Sequence, residues 1–421
     1  MWKLGLYRLL LALLMVSGGA SNVGKADSCA FEITREYAFP FVILPNIPTD
    51  KVIRRSVNLI GLPGPITAGA LSPSGNRVVL GFRSSHYAFV DLAKPDQKPA
   101  SDLLLMRSPI TAVTFSDNEK RVAMGYQNGR VAVLDFDGTD IHGMEQPPWR
   151  DTFSYANGPV RGLVFSSPAL ELASAFGPNR GAARMTAWST VGDTLLRLPS
   201  GASGFTSVAI NDNSSRILFG HQTQLSGGNS PNPFWMRGVL VVRRGNHWDR
   251  PALWVAESRY YGDRIRDNGA GFPGHVSCAS FVPNSSQILI GVTGNERAYE
   301  PEGGLYLTQP QERPSRLLGQ HELGIHAIRW NLEGDYFATV GYDHKIKIWN
   351  AGAFTARTLR TDPLEGQVID LQFLPTAGAL RFRTLTSLGI VNTYTVSRSA
   401  KPGDFDLSPW SNLLTSGGSL N

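Results

Sequence analysis

Cysteine is nearly missing from the sequence: 421 residues contain two, Cys29 and Cys278. No C-x-x-C-H occurs, so covalent haem is excluded, and so is a zinc site built on cysteine pairs. Charge is sparse as well, at 18% Asp, Glu, Lys and Arg against 42% hydrophobic residues. That balance argues against a disordered chain or a coiled coil. No stretch shows apolar residues at i, i+3, i+4 and i+7 over ten or more positions, so long amphipathic helices are not expected. Neither G-x-S-x-G nor a G-x-x-x-x-G-K-[ST] phosphate loop is present. The eight histidines are scattered. These absences leave no metal, cofactor or nucleophile constellation to argue from.

Gly (44) and Pro (27) are plentiful, alongside β-branched and aromatic residues. This is the composition of strands separated by many tight turns. The net charge is +6. Lys3, Arg8 and Lys25 contribute three of these before residue 26, and what remains is too weak and too dispersed for a nucleic-acid surface. The first residues join a positive stretch (Lys3, Arg8) to an apolar run from Leu9 to Val16, then to the small residues Gly18 and Ala20. They read as a secretory signal peptide over 1–20, with cleavage after Ala20 or, as a second choice, Ala26. The run is too short to span a hydrocarbon core of ~30 Å. The expected product is exported: periplasmic in a Gram-negative source, otherwise secreted. Lipid attachment at Cys29 fits poorly, because the apolar run ends well before it.

Seven copies of one pattern organise the rest. They begin at Ile66, Ile110, Val160, Phe205, Val276, Ile325 and Val368, at intervals of 44, 50, 45, 71, 49 and 43 residues. Each opens with an apolar residue and two small or polar ones, continues through an apolar run and ends in a polar turn. Further short runs follow, such as RVVLGF (77–82), RVAMGY (121–126) and RILFGH (216–221). Runs of about six residues between Gly, Asn, Ser and Asp turns are strands of a meander. A period of ~40–50 residues is that of propeller blades. The third position holds Ala68, Ala112, Gly162, Ser207, Cys278, Ala327 and Asp370. Six of the seven are small, as innermost strands crowding an axis require, so Cys278 reads as a buried small residue in preference to a disulfide with Cys29.

Residues 321–350, HELGIHAIRWNLEGDYFATVGYDHKIKIWN, resemble a repeat of the WD-repeat β-propeller family. His321, Thr339, Asp343 and Trp349 stand at the positions of that family's structural tetrad. A buried indole N–H needs an acceptor, and hydroxyl, imidazole and carboxylate relay hydrogen bonds from it to a turn. The resemblance implies an all-β, seven-bladed propeller of four-stranded antiparallel blades over 51–398. Segment 52–62 is then an N-terminal strand closing the last blade. Residues 21–50, with Pro40, Pro45 and Pro48, read as an extended arm rather than a regular strand, and 399–421 as a C-terminal tail.

Three candidate sites remain. His326, at the head of an inner strand, reads as a core histidine rather than a ligand. Asp135, Asp137 and Asp140 read as a solvated turn rather than a calcium loop. The long interval after Phe205 holds an Arg- and aromatic-rich stretch with Trp248, Arg250, Arg259, Tyr260, Tyr261 and Arg264. It is expected as an outer strand, ALWVAES, followed by a long loop. Arg with Tyr and Trp is the composition of protein-binding hot spots. The functional expectation is a monomeric, non-catalytic scaffold for a protein or peptide, with no nucleic acid and no cofactor. The alternative is a propeller enzyme or ligand-binding protein using the axial channel.

Overall fold

A computed structural model describes residues 31–38, 52–59, 62, 64–93, 100–103, 108–136, 141–143, 158–166, 171–176, 185–189, 194–197, 205–211, 214–225, 234–243, 253–261, 264–265, 275–293, 303–308, 316–375 and 379–397. The protein is all-β: besides strands, the described residues contain one 3-10 turn, Pro363–Glu365. No helix among them is long and apolar enough to cross a membrane.

The strands form small antiparallel sheets, seven among the described residues. Each begins with one of the sequence repeats as its inner strand: Ile66–Leu71, Ile110–Phe115, Val160–Phe165, Phe205–Ile210, His275–Phe281, Ile325–Trp330 and Val368–Leu374. We number the sheets first to seventh in that order. Within the first six sheets the strands pair in sequence order, inner to outer. Each inner strand lies against the inner strand of the next sheet, and that of the seventh lies against that of the first. The apolar core is divided accordingly. One buried cluster joins Val79, Phe89, Phe115 and Met124 of the first and second sheets, and another joins Leu289, Leu305, Phe337 and Trp349 of the fifth and sixth.

Two residue choices recur where sheets meet. The second strand carries a glycine near its end. At Gly81 a Cβ would come within 2.4 Å of the Ile110 side chain, and at Gly125 within 2.4 Å of Val160. Only a hydrogen there leaves room for the first residue of the next inner strand. The second residue of the inner strand often carries a hydroxyl that donates forward. Thr67 Oγ1 reaches the Ile110 carbonyl at 2.5 Å, Thr111 Oγ1 that of Val160 at 2.8 Å, and Ser277 Oγ that of Ile325. The seventh sheet has Ile369 at this position and cannot donate. There Asp370 departs from the small-residue column: its Oδ2 accepts from Leu71 N–H of the first sheet at 2.8 Å, and its Oδ1 from Arg329 Nη2 of the sixth at 2.9 Å.

The seventh sheet is completed from the chain's other end. Strand Val52–Leu59 pairs along the whole of Ile390–Ser397 but its last residue, from Val52 opposite Val396 to Asn58 opposite Ile390. Side chains reinforce the seam: Ser56 Oγ donates to Asn392 Oδ1 at 2.6 Å, Arg54 Nη2 donates to the same oxygen at 3.1 Å and pairs with Glu365, and Asn392 Nδ2 donates to Glu365 at 3.0 Å. Part of the segment read as an arm is itself a strand: Phe31–Ala38 adds outside Val52–Leu59, with a bulge between Ile33 and Arg35. Its three prolines lie beyond Ala38, so the ladder is free of the residue that cannot donate to it. The seventh sheet therefore has five strands, and so has the fourth, while the other five have four.

Candidate functional site

Inner strands run away from the face where the chain enters each sheet, and second strands return to it. The entering connections and the second-to-third turns therefore share one face. Two backbone bonds show this: Tyr342 N–H to the Gly324 carbonyl at 3.0 Å, and Ser387 N–H to that of Gln367 at 2.7 Å.

Beneath this face lies the polar set of the sixth sheet. Trp349 Nε1 donates to Thr339 Oγ1 at 3.0 Å, Thr339 Oγ1 lies 2.9 Å from His321 Nε2, and His321 Nδ1 lies 3.0 Å from Asp343 Oδ1. An indole only donates and a carboxylate only accepts. Thr339 therefore accepts from Trp349, and Nδ1–H of His321 donates to Asp343. Asp343 also accepts from the backbone N–H groups of Glu322, at 2.9 Å, and Lys345, at 3.2 Å. Burial pushes the Asp343 carboxyl upward, but the bonds from His321 and Glu322 outweigh it and hold the pKa at about 2. The Trp349 ring stacks on Phe337 with centroids 5.6 Å apart. All four side chains are committed to one another and to this turn.

The Arg- and aromatic-rich stretch differs from its expected form. Its outer strand does not stop at Ser258; it runs Leu253–Tyr261 and folds back through Arg264–Ile265. Arg259, Tyr260 and Tyr261 are strand residues opposite Met236, Trp235 and Phe234, and Arg264 stands opposite Tyr261. Tyr, Trp and Phe favour strands, and the ladder extends where a loop was expected. Trp248 and Arg250 lie outside the described residues. The inner strand starts at Phe205, opposite His221, whereas the second strand continues to Leu225. A three-stranded ribbon thus stands four residues, ~13 Å at strand rise, beyond the inner strand on the shared face.

Sequence reading did not identify a further feature of this face. Among the described residues six large hydrophobic side chains are exposed, and four of them sit here: Leu323 (52%), Tyr342 (45%), Leu364 (86%) and Leu388 (58%). They occupy the connections and turns of two adjacent sheets. Gln367 Nε2 bridges those sheets by donating to the Gly341 carbonyl at 2.8 Å, and the Leu388 side chain lies over Gly366. The signal was legible: each stands in a turn (ELG, GYD, PLEG, SLG) where polar residues are the rule.

His326 Nε2 is buried with no hydrogen-bond partner, and its ring lies 4.9 Å from that of Tyr342. Burial, with the Arg329 charge nearby, lowers its pKa to about 4. Cys278 is a free, buried thiol pushed up by burial to about 12; Cys29 lies outside the described residues. Asp135 is a strand residue opposite Arg121, while Asp137 and Asp140 lie outside. Among the described residues no three His, Cys, Asp or Glu side chains gather to hold a metal.

Residues 312–350 match the family model described as WD domain, G-beta repeat. No curated protein matches the chain.

Proposed function

We propose, with the WD repeat at 312–350 as premise, that the chain is an exported seven-bladed β-propeller serving as a non-catalytic scaffold for a protein partner. The sheets are then its blades, and strand Val52–Leu59 closes the ring. WD repeats are commonly protein-interaction scaffolds, and the local match supports that class of role. The observation that carries the reading is the gathering of Leu323, Tyr342, Leu364 and Leu388 on one face. Apolar side chains left together in turns cost solubility and mark interaction surfaces. The partner that suits them presents a short apolar segment, flanked on the fourth blade by the upstanding ribbon with Arg259, Tyr260, Tyr261 and Arg264. Rigid aromatic rings there anchor a partner at low conformational cost. The His321, Thr339, Asp343 and Trp349 set is structural in this reading, because every member is already bonded.

The test uses the mature exported protein and the partner it co-purifies with. Replacing Leu323, Leu364 and Leu388 together by Ser is expected to abolish capture with the melting temperature unchanged. The quadruple Ala variant at Arg259, Tyr260, Tyr261 and Arg264 is expected to do the same. Full capture by both folded variants would overturn the placement of the surface. An uncleaved leader at the N-terminus of the mature protein would overturn export.

A further inference from the structure

The seventh sheet keeps the backbone plan of the sixth but not its relay. Thr384 stands opposite Leu371 as Thr339 does opposite Ile328, and Tyr394 opposite Phe382 as Trp349 does opposite Phe337. The other two relay positions hold leucines. Leu364 lies four residues before its inner strand, as His321 does, and Leu388 lies two residues past Thr386, as Asp343 does past Gly341. Two members of the exposed leucine set thus replace the imidazole and the carboxylate that tie connection to turn in the sixth sheet. In the seventh, the tie comes from outside. Among the described residues, the hydrogen bonds within 362–366 are otherwise local. Asp362 Oδ1 accepts from Leu364 N–H at 2.9 Å, and the N–H groups of Glu365 and Gly366 return to the carbonyls of Asp362 and Pro363, each at 3.1 Å. Only the Glu365 side chain bonds out of the turn. It pairs with Arg54 of strand Val52–Leu59, 311 residues away in sequence, and accepts from Asn392 Nδ2 at 3.0 Å. Asn392 Oδ1 accepts from Arg54 Nη2 at 3.1 Å, so each of the three bonds the other two. The Arg54 and Glu365 side chains are 16% and 19% exposed. Water therefore replaces a lost partner poorly, unlike at a solvated surface pair.

We propose that Arg54, Glu365 and Asn392 form a clasp through which docking of strand Val52–Leu59 regulates the partner surface, by holding the turn that presents Leu364. The identity of that surface rests on the scaffold reading; the clasp does not. With the strand undocked, Glu365 loses its cation, and the turn keeps only its local bonds, whose net worth is small. The sixth-sheet part of the surface is independent of the clasp, because His321 and Asp343 hold the segments bearing Leu323 and Tyr342. A partner seated on Leu364 is then linked to the N-terminal strand. By reciprocity it tightens Val52–Leu59 on the seventh sheet without touching it. Arg54, Glu365 and Asn392 act as positioning residues.

The experiment follows amide hydrogen exchange of the free mature protein. Glu365→Gln and Arg54→Gln are each expected to speed exchange over 362–366 at least about tenfold, the scale of one lost charge-assisted bond, and to leave 321–324 unaltered. The double variant should add little to either single one, and Arg54→Lys, which keeps the charge, should fall between. With the co-purified partner, Glu365→Gln is expected to weaken binding about fivefold or more in the parent and to change nothing further in Leu364→Ser. Unaltered exchange over 362–366 in both single variants would overturn the clasp, and so would an equal acceleration at 321–324, which would mean general loosening. An equal loss of affinity with and without Leu364 would overturn the coupling. Full capture by the Leu323, Leu364 and Leu388 triple Ser variant, with fast exchange over 362–366 in Glu365→Gln, would count against the leucine surface and for the clasp.

Discussion

Trp349 is 2% exposed and closes its relay at Thr339. Trp349→Ala empties a large volume beside Phe337 and strands the Thr339 hydroxyl, so a loss of about 3–5 kcal/mol is expected in denaturant unfolding. Wild-type stability would mean that the set does not hold the turn. His326 sets a pH dependence. Its folded pKa, about 4, lies below the ~6.5 of an unfolded histidine, so the folded state resists protonation. Stability from this source is full above pH ~6.5 and declines as pH falls toward 4, by up to about 3 kcal/mol. His326→Gln should flatten that part of a pH–stability profile; an unchanged slope would refute the assignment. Asp343, also lowered, loses its contribution further down, as pH falls from ~4 through about 2. Gly81 abuts Ile110, so Gly81→Ala is expected to cost on the order of 1–3 kcal/mol through overpacking.

At the scale of elements, the seven inner strands were legible because each pairs an apolar pattern with a polar turn. The turn chemistry is repeated too: Ser72, Ser116, Asn211 and Asn331 each end an inner strand and accept from the first N–H of the second. The closing strand was legible because an unmatched apolar segment preceded the first repeat. What escaped was set by partners rather than pattern. Phe31–Ala38 is recognised only through the free edge of Val52–Leu59, and the strand character of Arg259 to Tyr261 only through the aromatics opposite them. The glycine recurring in RVVLGF, RVAMGY and RILFGH was visible, but its reason lies in the next sheet. Asp370 was visible as an exception, and its meaning is the junction with the first sheet. Asp370→Ala removes the acceptor of Leu71 N–H and frees Arg329, so a loss of about 1–3 kcal/mol is expected on thermal or denaturant unfolding. Asp370→Asn keeps one of the two acceptor oxygens and should lose less than Asp370→Ala; an equal loss would show that both bonds are needed at the junction.

At the scale of the molecule, a meander sheet cannot bury both faces alone, and the cyclic order of contacts gives each sheet two neighbours. The two faces of the resulting ring differ. One carries the tight turns 72–76, 116–120 and 331–335. The other carries Leu323, Leu364 and Leu388, the relay's turn, Arg161 and the ribbon of the fourth sheet, while a single exposed leucine, Leu332, stands in the turn 331–335. The repeat was legible in the sequence and this asymmetry was not, because exposure is a property of the assembled sheets. The most direct measurement is amide hydrogen exchange on the complex with the co-purified partner. Protection is predicted at 321–324, 341–344, 362–367 and 386–389, extending into 234–238 and 257–265. Protection confined to 72–76, 116–120 and 331–335 would contradict the account.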